Sequence, residues 1–142
     1  MDRQLGRVHY LHGWWYGARD CLGFPAVRLR LPGHVSGVAA RARDALIGLE
    51  RDVGGLLRQL HPHLWAEYLA ASEGGGVRAA RSTDLLHQHF RLEAVCAAPF
   101  GEERMVELAI EPRWAPGEIL GAYVQARTLV EFRRHVRIWR TP

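Results

Sequence analysis

The sequence predicts an α+β domain, in which N-terminal strands and a C-terminal meander form an antiparallel sheet. A helical layer, one long helix and two shorter ones, is expected on one face of that sheet. Three observations carry the expectation. Glycine-punctuated, strand-like sequence around Trp14 and Trp15 leads into the alternating Val27-Arg28-Leu29-Arg30-Leu31. Apolar residues then recur at helical spacing, and alternation returns after Arg91.

At the front, Arg7 to Leu11 and Trp14 to Cys21 read as short strands, with Gly13, Gly17 and Gly23 as punctuation. Val27, Leu29 and Leu31 alternate with Arg28 and Arg30, the period of a half-buried strand whose arginines face water. Leu31-Pro32-Gly33-His34 should close it, because proline fixes one φ and glycine frees the next. Ser36 is the expected N-cap of the long helix, along which Val38, Ala42, Ala45, Leu46, Leu49, Val53, Leu56, Leu57 and Leu60 form an apolar stripe. A helical glycine costs about 1 kcal/mol against alanine, so Gly54-Gly55 is an expected weak point.

Pro62 should open a second helix carrying Leu64, Trp65, Tyr68 and Leu69. Glu73-Gly74-Gly75-Gly76 ends it, and residues 73–81 have the composition of a flexible linker. Ser82 and Asp84 restart a short helix to about Phe90. The meander then comprises Arg91 to Ala97, Met105 to Glu111, Ile119 to Gln125 and Leu129 to Val136. A turn at Pro99-Phe100-Gly101 and a loop from Pro112 to Gly117 separate its first strands.

A chain of 142 residues with 48% hydrophobic and 24% charged side chains has the balance of one folded domain spanning residues 1–142. No apolar run reaches the ~18 residues of a spanning helix, and the N-terminus lacks a signal-peptide pattern. A cytoplasmic protein with no membrane association is therefore expected. Cys21 and Cys96 are far apart in apolar settings, which reads as buried free thiols rather than a disulfide framework or a zinc site. All 19 positive side chains are arginine. The absence of lysine excludes lysine Schiff-base chemistry and a P-loop, while the net charge of +4 hints at an acidic partner.

Trp14, Trp15, Phe24, Pro25, Val27 and Leu29 at the front, with Trp114, Pro116, Leu120, Gly121, Val130 and Phe132 at the back, form a recognisable pair of blocks. In these the chain resembles a loose group of small bacterial α+β domains with a Trp-Trp front strand, a helical middle and a C-terminal Trp-Asp-x-Glu-His-x-x-Gly motif. Some members are toxin immunity proteins, so the resemblance implies a protein-binding role. The chain departs from the group after Trp114: Ala115, Gly117 and Glu118 replace the Asp, Glu and His, so the motif reads here as scaffold.

Eight histidines raise the question of a metal, through His9-x-x-His12, His61-x-His63 and His87-x-His89. None has the companion of a His-Glu-x-x-His or Cys-x-x-Cys site, and residues two apart diverge on a helix, so no metal and no cofactor is assigned. His63 and Glu67 share the i, i+4 spacing of a base and carboxylate, which is also that of an ordinary surface pair. No Gly-x-Ser-x-Gly elbow occurs, Cys96 reads as strand packing, and no catalytic residue is assigned.

The densest basic tract is Arg133, Arg134, Arg137 and Arg140 with His135 and Trp139. It suits phosphate or base stacking, but also a strand edge guarded by charge, and a nucleic-acid binder would carry a larger clustered excess. Adjacent Trp14 and Trp15 must point to opposite sides of a strand, leaving one for a partner. The resulting expectation is a non-enzymatic protein-binding domain of the immunity type, facing a partner such as a toxin with an acidic surface. Its candidate contacts are Trp14, Trp15, Arg133, Arg137 and Trp139. The alternatives are a small enzyme or small-molecule-binding domain with a His, Glu or Arg pocket, and a nucleic-acid module using the C-terminal arginines.

Overall fold

The computed structural model describes residues 7–73, 89–99 and 104–139. It is α+β: an eight-stranded, mostly antiparallel sheet with two described helices packed on it. The strands are β1 (Val8–Leu11), β2 (Trp14–Cys21), β3 (Phe24–His34), β4 (Gly37–Val38), β5 (Phe90–Ala97), β6 (Met105–Pro112), β7 (Leu120–Gln125) and β8 (Thr128–Arg133). The helices α1 (Ala40–Glu50) and α2 (Val53–Glu73) lie in sequence between β4 and β5. The order across the sheet is β1-β2-β3-β5-β6-β7-β8, with β4 paired to β3.

Every described pairing is antiparallel except β3 with β5, where Arg28, Leu29 and Arg30 run alongside Ala94, Val95 and Cys96. The N-terminal strands and the C-terminal meander thus meet at a parallel seam rather than an antiparallel one. A helical connection carries the chain back to the end of the sheet from which β3 started, so β5 must run the same way.

Alternation along the strands sorts residues onto two faces. Val27, Leu29, Leu31, Val95, Leu108 and Val124 join Leu46, Leu49, Leu56, Leu60 and Leu64 of the helices in one buried cluster. Each such fully buried aliphatic side chain contributes about 1.5–3 kcal/mol relative to exposure. At one margin of the core Tyr68 meets the edge of Trp114 with ring centroids 5.3 Å apart, and lies nearly parallel to Trp65 at 5.5 Å. Trp114 of the rear sequence block is thereby built into the packing.

Several element boundaries differ from the sequence expectation. Gly17 is not a break: it lies inside β2 opposite Leu29, where a Cβ would stand 2.7 Å from the Arg7 carbonyl oxygen. Glycine there permits β1 to approach. β3 also continues through Pro32 and Gly33 to His34, and Ser36 lies in the turn to β4 instead of capping a helix. Trp14 pairs with Pro32 and Gly33 with Val38, so strand neighbours hold these residues extended.

The long helix divides at Arg51-Asp52, earlier than Gly54-Gly55. Asp52 Oδ1 accepts the Gly55 N–H at 3.0 Å, a side-chain cap on the start of α2. A Cβ on Gly55 would lie 2.2 Å from the other carboxylate oxygen, so this glycine serves the cap. Pro62 does not begin a helix but sits inside α2. Leu56, Leu60, Leu64 and Tyr68 are all buried at four-residue steps, and keeping that stripe continuous outweighs the ~3 kcal/mol cost of an interior proline.

Phe90 opens β5 rather than ending a helix. Residues 82–88 of that expected helix, and the linker from Gly74 to Arg81, fall outside the described residues.

Candidate functional site

Of the two sheet faces, the one opposite the helices carries the polar chemistry. Register places His9, Tyr16, Arg30, Cys96, Glu107, Tyr123 and Glu131 in one cross-strand row through β1, β2, β3, β5, β6, β7 and β8. A parallel row contains Ala18, Arg28, Ala94, Ala109, Gly121 and Arg133. Directly paired residues on a sheet share a face, so the rows follow from register alone.

At the β1–β3 end the Arg30 guanidinium lies 3.9 Å above the Trp14 ring and 5.9 Å from that of Tyr16. His9 stacks on Tyr16 with centroids 5.6 Å apart. Leu11, opposite Trp14, is 38% exposed, so the cation–aromatic group continues into an accessible apolar residue. Arginine over tryptophan is an attraction of about 0.5–2 kcal/mol, stronger where water is excluded.

At the other end the Arg133 guanidinium lies 4.9 Å from the Tyr123 ring. Burial foremost, then the hydrogen bond between its hydroxyl and Glu107, pushes the Tyr123 hydroxyl well above its ordinary range. Val136 crosses this end, its N–H donating to the Ile119 carbonyl at 2.9 Å. Gly121 accommodates it, because a Cβ there would stand 2.5 Å from Val136 Cγ2.

Trp14 and Trp15 do point to opposite sides. Trp15 packs against the helix-side core, and its indole N–H donates to the His34 carbonyl at 2.9 Å. Trp14 and Arg133 share the other face but are five strand spacings apart, roughly 24 Å. Arg137 is exposed beyond β8, Trp139 is half-buried, and Arg140 lies outside the described residues. The sequence candidates therefore form a front group and a rear group.

The i, i+4 pair His63 and Glu67 is engaged by β8 and by Arg134 just after it. His63 stacks on Phe132 with centroids 5.0 Å apart, and Glu67 accepts from Arg134 Nε at 2.6 Å. One turn earlier Gln59 bonds the hairpin backbone, so Gln59, His63 and Glu67 form a seam that covers the edge strand. His61 stacks on Trp65 and His89 lies beside Tyr68, while His87 is outside the described residues. No group of three or more His, Cys, Asp or Glu able to hold a metal is found among the described residues. Both cysteines are buried free thiols, each pushed from the ordinary 9.0 up to about 12, first by burial and then by a carboxylate, Glu50 for Cys21 and Glu107 for Cys96.

A cavity of about 390 Å³ opens between α1 and the β7–β8 hairpin, lined by Arg41, Arg104, Arg127 and Asp44 over Leu49 and Val124. None of its arginines stood out in the sequence. The short spacing between the last two strands marks a hairpin at Ala126-Arg127, but nothing local announces that Arg41 and Arg104 converge on it. By sequence Arg30 is likewise only a water-facing strand residue, since its contact with Trp14 depends on the β2–β3 register.

Comparison with known proteins gives no matching family model, no matching curated protein and no matching solved structure. The residues must carry the reading. No described helix is long and apolar enough to cross a membrane.

Proposed function

We propose that this chain is a non-enzymatic binding domain of the bacterial immunity type, which occludes a partner protein bearing an acidic surface. The observation that carries the reading is the Trp14–Arg30 pair, a guanidinium held 3.9 Å over an indole on the side of the sheet opposite the two described helices. Tryptophan, tyrosine and arginine dominate the energetics of protein interfaces when they sit in a well-packed group. Tyr16 and Arg28 extend the group, and Leu11 supplies an exposed apolar neighbour. The net charge of +4 favours an acidic partner and speeds its approach at low salt.

The test is a direct titration of the purified protein with a toxin-like protein encoded next to its gene. Submicromolar binding is expected, weakened at least about tenfold by Trp14→Ala and by Arg30→Glu, with parallel loss of protection of toxin-exposed cells. Absence of binding to any neighbour-encoded protein, or equal binding by both variants in their folded state, would reject the proposal.

A further inference from the structure

We propose that the cavity between α1 and the β7–β8 hairpin binds a small organic dianion, a phosphate monoester or dicarboxylate with an apolar body. Among the described residues its charged lining is Arg41, Arg104 and Arg127 with the carboxylate of Asp44, and its volume of about 390 Å³ lies within the range of small-molecule sites. Leu49, Val106 and Val124 give it an apolar floor. Arginine forks match the oxygen pairs of carboxylate and phosphate, and two such groups converging from different elements select a doubly charged head.

The three arginines come from separate parts of the chain: the first turn of α1, the residue before β6, and the β7–β8 turn. Arg127 is fixed through its backbone. Its backbone is left-handed, with φ of 69°, and its carbonyl is held by Gln59 at 2.8 Å. Its Nε lies 3.7 Å from where a Cβ on Gly48 would stand, so the side chain runs along α1 towards the cavity. A two-residue hairpin turn favours glycine or asparagine at such positions, yet Ala126 and Arg127 both have positive φ. Retaining arginine there places a guanidinium at the cavity rim despite the backbone strain.

This site is separate from the Trp14–Arg30 surface and does not depend on the protein-binding proposal. Calorimetric titration with phenyl phosphate, inorganic phosphate, phenylmalonate and phenol tests it. Phenyl phosphate or phenylmalonate should bind saturably, and which of them binds tighter identifies the head group. Inorganic phosphate should bind more weakly and phenol not at all. Arg104→Gln and Arg127→Gln should each weaken the aromatic dianion by about tenfold or more, and Asp44→Asn should tighten it. Thermal melting of each variant confirms that it is folded. Failure of both aromatic dianions to saturate the wild-type protein, or unchanged affinity in folded Arg104→Gln and Arg127→Gln, would overturn the inference.

Discussion

Gln59 of α2 donates its side-chain amide to the Arg127 carbonyl at 2.8 Å, across 68 residues of chain. With its oxygen it accepts the Leu129 N–H, also at 2.8 Å. One side chain thereby satisfies two backbone groups of the hairpin at the edge of the sheet and fixes the turn that carries Arg127. Gln59→Ala should cost about 1–3 kcal/mol, because it leaves a part-buried donor and an acceptor without their partner. Urea denaturation measures the loss, and amide exchange at Leu129 should rise more than in β5.

Proline at position 62 works against the helix that contains it. Its side chain is exposed and its ring removes a backbone donor from the interior of α2. Pro62→Ala should therefore stabilise the protein by about 1–3 kcal/mol, seen as a higher urea midpoint with unchanged slope. A lower midpoint would mean that the proline shapes a bend needed by the Leu60–Leu64 packing.

Gly121 and Val136 define a close contact on the side of the sheet away from the helices. Gly121→Ala would place a methyl 2.5 Å from Val136 Cγ2 and 3.2 Å from Tyr123 Cε2. A cost of about 1–3 kcal/mol is expected from overpacking, much of it restored by a second change, Val136→Ala. The double-mutant cycle should give a coupling well outside the error of the single measurements. Additive effects would show that the chain after β8 does not press on β7.

The buried thiols set an alkaline limit to stability. Cys21 and Cys96 keep their protons up to about pH 12 in the folded chain, against an ordinary value of 9.0. Above the ordinary value the unfolded chain binds fewer protons than the folded one, so the stability from these groups is full below pH 9 and falls as pH rises towards 12. Urea midpoints at neutral pH and within that window should differ, and Cys96→Ala should reduce the difference. Thiol reagents should react slowly with both cysteines until the protein unfolds.

Much of the architecture was legible because local periodicity follows burial. Val27, Leu29 and Leu31 alternate since one side of β3 faces the helices, and Leu56, Leu60, Leu64 and Tyr68 recur at four because one side of α2 faces the sheet. Positions where long-range contacts override local preference were not legible. Gly17 and Pro32 resemble breakers but are held extended by neighbouring strands, and Pro62 stays helical under the pull of a continuous apolar stripe.

The sequence by itself determined the α+β class, the two-faced strands, the buried thiols and the opposed directions of Trp14 and Trp15. Each follows from composition or from a period within a few residues. The tertiary structure alone decided the parallel seam between β3 and β5, the stacking of Arg30 on Trp14, and the engagement of His63 by Phe132 and of Glu67 by Arg134. It alone brought Arg41, Arg104 and Arg127 around one cavity. These depend on strand order and register, which arise from packing distant segments around a shared core and leave no mark on any single stretch of chain.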